Sequence, residues 1–268
     1  MHTDPYPTIG VVAALPAEAE LLTRATDKMM QGSSTRGKII IRKSGIGMQS
    51  ARRQAEYLAG ISELLVSFGI SGGLNPLLKT GDLILADLVM AWDNDMHELS
   101  ATQVMPATFR TDERITNHIA EKFQENIIHF YRGPILCSST PISTATSKLS
   151  VHRLTGALAA DMESRAICEV AAEAGIPFFC LRAVCDPANQ TVADIFPAMV
   201  DKQGNPRIGH ILAHLVRRPW LLRDMIRMAS QFRQALFALE TAWLLVGEHF
   251  LSSANARHAT SPVRAGKR

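Results

Sequence analysis

After a short polar lead, the chain opens on an apolar run from Thr8 to Ala14 (TIGVVAA). Leu-Pro and the acidic, helix-prone stretch AEAELLTRA follow. That succession predicts strand, turn and helix. Lys38 to Ser44 (KIIIRKS) reads as a second strand, leading through Gly45-Ile46-Gly47 into a helix from about Gln49 to Ala59. Leu64 to Ile70 (LLVSFGI) is apolar almost throughout, as expected of a strand covered on both faces, and Ser71-Gly72-Gly73 reads as the turn that breaks it. Asp82 to Ala91 predicts a strand and Asp112 to Gln124 a helix. Pro134 to Ser138 predicts a strand entering a Ser/Thr-rich loop, Ser139 to Ser147. Met162, Ala166, Ile167, Val170 and Ala174 form one stripe of a helix over Met162 to Ala174, with Gly175 suited to its C-cap. Phe178 to Val184 (FFCLRAV) predicts the last buried strand, ending at Cys185-Asp186. Strands alternating with helices predict an α/β fold, a three-layer α/β/α sandwich around a central mixed, mostly parallel sheet.

The pattern changes near residue 207. Ile208 to Val216 can form a short helix, and Pro219 suits the first turn of a longer one running to about Phe250. Leu222, Met225, Ile226, Ala229, Phe232, Leu236, Leu239 and Trp243 recur at spacings of three and four. Arg217, Arg218, Arg223, Arg227 and Arg233 lie mostly outside that stripe. The expected organisation is a globular domain over 1–206, a basic amphipathic helical extension over 207–250 and a polar, disordered tail over 251–268. Charge supports the division. From Arg207 onward there are 10 basic and 3 acidic residues, net +7, which leaves −4 on the rest of a chain whose total is +3.

With 268 residues, 47% hydrophobic and 20% charged, the chain can bury a sizeable core and is neither disordered nor collagen-like. A net charge of +3 does not argue for a nucleic-acid partner. The four cysteines, Cys137, Cys168, Cys180 and Cys185, make no CxxC pair, and no His cluster sits at metal spacing. Buried reduced thiols are expected, and neither metal nor organic cofactor. MHTDPYPTIG lacks the basic and apolar regions of a signal peptide, and no apolar run approaches the roughly 18–20 residues of a membrane-spanning helix, so a cytoplasmic protein is expected.

Ligands of open α/β sheets bind beyond the carboxyl ends of the strands. Those ends here carry Glu18, Ser44-Gly45-Ile46-Gly47, Gly69-Ile70-Ser71-Gly72-Gly73 and Arg182-Ala183-Val184-Cys185-Asp186, with Met162-Glu163 at a helix start. Taken singly, each has a plain structural explanation. Glu18 and Glu163 suit a helix first turn, Gly72-Gly73 a tight turn, and Asp186 before Pro187 a turn initiator.

Their joint order resembles the nucleoside phosphorylase/nucleosidase superfamily, and within it the methylthioadenosine/S-adenosylhomocysteine nucleosidases. The resemblance spans roughly residues 8–190 through IGVVAALPAEAELL, SGIGMQSA, FGISGGLNPLLKTGDLILAD, AADMESRAI and PFFCLRAVCDPANQ. It implies that Asp186 protonates a purine leaving group, that Glu18 activates the attacking water and that Arg182 helps position it. It also implies that Met162 and Glu163 hold the ribose, with Ser71, Gly72 and Ile142 contributing to substrate binding. The residue types suit the chemistry. A purine leaves a cation-like ribosyl centre only when protonated, and a carboxylic acid supplies that proton near neutrality when burial raises its pKa. The sequence departs from the family at Ile70, where a Ser or Thr is common, and at Pro141-Ile142, where an aromatic residue commonly stacks on the purine. Neither LPAEAE nor LVSFGISGG carries the cations that phosphate would need, which favours water as nucleophile; Arg42 or Lys43 could still enter a neighbouring subunit's site.

The basic C-terminal extension resembles that of the hopanoid-associated branch, which implies adenosylhopane as substrate and ribosylhopane plus adenine as products. The arginine-bordered apolar stripe would then suit peripheral contact with the inner membrane surface; packing on the domain or on a second subunit is the alternative. The resemblance implies a homodimer. Other readings remain open: a phosphate-dependent purine nucleoside phosphorylase, a methylthioadenosine/S-adenosylhomocysteine nucleosidase, and a nucleoside- or lipid-binding protein without turnover.

Overall fold

A computed structural model describes residues 8–31, 37–92, 107–192, 201, 203–205 and 221–256. In chain order the elements are β1 (Thr8–Ala13), α1 (Pro16–Gln31), β2 (Lys38–Lys43), α2 (Met48–Ala59), β3 (Leu64–Gly73), β4 (Leu83–Trp92) and β5 (Thr108–Arg110). Then come α3 (Glu113–Glu125), β6 (Phe130–Ser138), α4 (Ala145–Thr155), β7 (Ala159–Asp161), α5 (Ser164–Ala174), β8 (Phe178–Asp186) and α6 (Leu221–Ala256). The α/β architecture expected from the alternation is present, with a mixed sheet flanked by helices.

The sheet runs β2-β1-β3-β7-β6-β4-β5, and β8 pairs with both β3 and β4. The pairings β3–β8, β8–β4, β4–β6, β6–β7 and β7–β3 therefore close a ring, so part of the sheet is barrel-like. β3 and β8 pair in parallel from Leu65 opposite Phe178 to Gly72 opposite Asp186, with a register shift between Ser71 and Gly72. The burial of β8 from Phe178 to Cys185 is explained by this position, since it has strand neighbours on both edges and helices over the sheet.

One core lies beneath α1, α3 and α6, built on Leu22, Phe68, Phe123, Leu239 and Trp243. The other lies beneath α2 and α5, built on Ala51, Leu58, Ile167 and Val170. Side-chain caps start two of the helices. Asp112 accepts the Ile115 N–H at 3.0 Å ahead of α3, and Thr144 accepts the Ser147 N–H at 3.1 Å ahead of α4. Gly175 ends α5 with φ 66°, as its expected C-cap role requires.

Several boundaries differ from the sequence reading. β3 continues through Ser71-Gly72-Gly73, which therefore do not break the strand, and β6 begins at Phe130 rather than Pro134. The Ser/Thr-rich segment contains the start of α4, and β5 and β7 are three-residue strands too short to show a period. Met162 and Glu163 precede α5 rather than opening it.

The expected helix over Ile208–Val216 and Pro219 lie outside the described residues. α6 runs past Phe250 to Ala256, and Leu251 is buried. The C-terminal part of its stripe is core. Trp243 packs edge-on against Phe68 with centroids 5.2 Å apart, and its Nε1–H donates to Thr26 Oγ1 at 3.0 Å. Near the start of α6, Leu222 and Ile226 are exposed. No described helix is long and apolar enough to cross a membrane.

Candidate active site

The carboxyl ends of β1, β3, β7 and β8 meet around a cavity of about 230 Å³. Glu18 reaches it from the first turn of α1. Its side chain is buried, and its carboxylate accepts the Leu15 N–H at 2.8 Å and the Ile70 N–H at 2.9 Å. Burial raises its pKa; those amides and the Arg182 charge oppose the rise by favouring the anion.

Gly69 makes this placement possible. A Cβ there would lie 2.6 Å from Glu18 Oε1, closer than real contacts allow. Gly72 similarly faces Asp186, where a Cβ would stand 3.3 Å from Oδ2. Neither glycine has a positive φ. Gly69 and Gly72 are there for space beside carboxylates, and the turn expected at Gly72-Gly73 is absent because the strand continues.

Asp186 ends β8, and burial raises its pKa against the opposing charge of Lys148, whose Nζ lies 2.5 Å from Oδ2. Glu163 arrives from the bend before α5. Its Oε1 accepts the Gly47 N–H at 2.7 Å, at the N-terminus of α2, where the helix dipole favours an anion. Burial, with the nearby Asp161 charge, nevertheless pushes the Glu163 pKa up to about 7.

Arg182 does not line the main cavity. Its guanidinium is buried behind it, with Nε 2.7 Å and Nη2 2.6 Å from Asp161 Oδ2, and Nη2 donates to Ser67 Oγ. Between Arg182, Glu18 and Glu163 lies a void of about 10 Å³, close to the smallest that holds one water.

Glu18, Ser71, Gly72, Ile142, Met162, Glu163 and Asp186 all line the cavity, and Pro141 lines it beside Ile142. The structure thus brings together every predicted site residue, with Arg182 one layer back. Arg42 stacks on Tyr57, 4.2 Å from the ring centroid, and neither it nor Lys43 is among the described lining residues, which include no Lys or Arg.

Two participants escaped the sequence reading. Asp161 holds Arg182 and also accepts from the Ser164 hydroxyl at 2.8 Å; its only sequence signal was an Asp three residues before a Ser at a helix start. Lys148, directly after the Ser/Thr-rich stretch, had none. The cysteines are free and buried, and burial pushes the Cys180 and Cys185 thiols up to about 12, which leaves them unreactive.

Residues 8–217 match the profile of the phosphorylase superfamily. The chain belongs to that superfamily. Its fold is similar to that of 5′-methylthioadenosine/S-adenosylhomocysteine nucleosidase from Neisseria meningitidis in complex with methylthio-immucillin-A, at TM-score 0.62 and 18% identity over 90% of this chain and 99% of that one. It is also similar to S-adenosylhomocysteine nucleosidase from Streptococcus pyogenes in complex with 5-methylthiotubericidin, at TM-score 0.65 and 17% identity over 91% and 97%. A futalosine hydrolase mutant from Helicobacter pylori is more distant in shape, at TM-score 0.56 and 20% identity over 66% and 89%. Within this superfamily the chain keeps the fold at low identity, so its own site carries the functional argument.

Proposed function

We propose that the protein hydrolyses the N-glycosidic bond of a 5′-substituted adenosine and releases adenine. One observation carries the reading: Glu18, Glu163 and Asp186, from three distant segments, converge on one cavity whose described walls hold no basic side chain. Three carboxylates suit a reaction that needs an acid, a base and stabilisation of positive charge at the sugar. The lack of cations among the described lining residues favours water over phosphate as the nucleophile.

In the proposed step, water attacks the anomeric carbon as the glycosidic bond breaks and its electron pair goes to adenine. Asp186 delivers a proton to the purine, Glu18 takes one from the water, and Glu163 stands by the ribose. Arg182, held by Asp161, keeps a positive charge near Glu18 and so favours its anion.

For the 5′ substituent, a methylthio or homocysteinyl group is the better-supported reading. The walls include Leu15, Ile46, Leu74 and Val192, which suit a thioether, and about 230 Å³ falls below the roughly 300–1,000 Å³ of pockets for larger ligands. Adenosylhopane is the second reading, with a triterpenoid that would extend beyond the cavity. It is favoured by exposed Leu222, Ile226 and Phe237 on α6, near exposed Arg223, Arg227 and Arg233, a surface suited to anionic lipid.

The test is adenine release from methylthioadenosine, S-adenosylhomocysteine and adenosylhopane, with and without phosphate, and mass analysis of the sugar. Phosphate-independent release with a free ribose product is expected. A ribose-1-phosphate product would replace water by phosphate, and no release from any substrate would overturn the glycosidase reading.

A further inference from the structure

Lys148 stands in the first turns of α4 with its side chain wholly buried. A buried amino group persists where oxygen acceptors replace its water. Four surround Nζ: Asp186 Oδ2 at 2.5 Å and the carbonyls of Asp186, Pro187 and Gln190 at 3.4, 3.1 and 3.0 Å. An ammonium group, with three donors and no acceptor, matches such an all-oxygen nest. The carbonyl bonds clip the segment after β8 to α4. The bond to Oδ2 does something else, because it leaves Oδ1 without a hydrogen-bond donor from any other described residue.

We propose that Lys148 is a positioning residue for Asp186, holding Oδ2 so that Oδ1 carries the proton into the cavity and stabilising the carboxylate that remains. The proposal rests on the reading of Asp186 as the purine acid. In the step it serves, the proton leaves Oδ1 for N7 of the purine, the C1′–N9 bond breaks and its electron pair moves to the purine. Asp186 is left with one negative charge opposite the Lys148 ammonium, and nothing is oxidised or reduced.

The other titratable groups around Asp186 are Cys185 beside it on β8, and Glu18 and Glu163 on the cavity wall. Burial raises the Asp186 pKa while Lys148 lowers it. Removing the lysine charge would therefore raise it further and weaken the acid. The maximal rate should fall while the alkaline limb of the pH–rate profile, where the acid loses its proton, moves to higher pH. A merely structural defect lowers the rate without moving that limb.

The experiment compares wild type, Lys148→Met and Lys148→Gln on methylthioadenosine and on a nitrophenyl riboside with the same 5′-methylthio group, whose leaving group needs no protonation. On methylthioadenosine we expect kcat to fall about 100-fold and the alkaline limb of kcat to rise by about one pH unit. The loss on the nitrophenyl riboside should be at least about tenfold smaller. Equal losses on both substrates with an unmoved limb would overturn the proposal. Gln retains N–H groups for the Pro187 and Gln190 carbonyls, so it serves if Met does not fold; collapse of both variants would assign Lys148 to folding alone and also overturn the proposal. Wild-type protein that releases no adenine from methylthioadenosine, S-adenosylhomocysteine or adenosylhopane would instead sink the glycosidase reading, before any variant is compared.

Discussion

Replacing Gly69 with alanine puts a methyl group where Glu18 holds its carboxylate. The new Cβ would lie 2.6 Å from Oε1, 3.0 Å from Cδ and 3.1 Å from Oε2. Reaching ordinary contact near 3.4 Å requires a retreat of roughly 0.8 Å. The strand cannot give way easily, because Gly69 lies opposite Arg182 in the β3–β8 ladder and β1 pairs with β3 just before it, up to Ser67. The carboxylate must move instead, and it then loses the Ile70 amide, now 2.9 Å from Oε1. Hydrogen bonds to a charged group contribute about 1.5–3 kcal/mol each, so stability should fall by about 2 kcal/mol. Displacing a base by about 1 Å should lower kcat about 100-fold. The backbone at Gly69 is not left-handed, so alanine adds no strain of its own. Adenine release and thermal unfolding measure the two effects. Gly60→Ala is the control, since a Cβ there meets nothing closer than 3.6 Å. Gly69→Ala turnover within about twofold of wild type would refute the argument that space beside Glu18 is what this glycine supplies.

Three other outcomes are expected. Asp161→Ala leaves the buried Arg182 guanidinium without its carboxylate and should destabilise the fold by about 3–5 kcal/mol in urea unfolding. Trp243→Ala opens a hole between α6, α1 and Phe68 and should cost about 3–5 kcal/mol; an unchanged unfolding midpoint would mean that α6 is not part of the core. The Glu163 pKa is raised in the fold from 4.5 to about 7, so the folded chain keeps a proton that the unfolded chain has released. Its contribution is therefore best below about pH 4.5 and declines as pH rises to about 7, by at most about 3 kcal/mol. Glu163→Gln should match wild-type stability near pH 4.5 and exceed it near pH 8, and equal stability at both would remove the burial argument.

The sequence reading found what local pattern can reveal. Apolar runs located β1, β2, β3, β4 and β8, and periodicity located α5 and most of α6, because the face a residue must bury repeats with the period of its element. The family resemblance carried by the order of short motifs then implied one site for Glu18, Glu163 and Asp186. It failed where length or context hid the pattern. β5 and β7 are three residues each, and α4 begins within a Ser/Thr-rich stretch read as loop. Gly72-Gly73 suggested a turn because glycine permits one, whereas β3 continues through both, with Gly72 beside the Asp186 carboxylate and Gly73 against Val184.

The sequence alone determined most of the longer elements, the alternation that makes the fold α/β, and the candidate residues at the strand ends. Tertiary structure decided which of these touch. The Arg182–Asp161 pair spans 21 residues, Lys148–Asp186 spans 38, the Ile70–Glu18 bond 52 and the Gly47–Glu163 bond 116. Hydrophobic period reports that a face is buried, not what it is buried against. Closure of the sheet through β8, the space left at Gly69 and the lysine behind Asp186 are contacts between distant segments, and they exist only once the chain has packed.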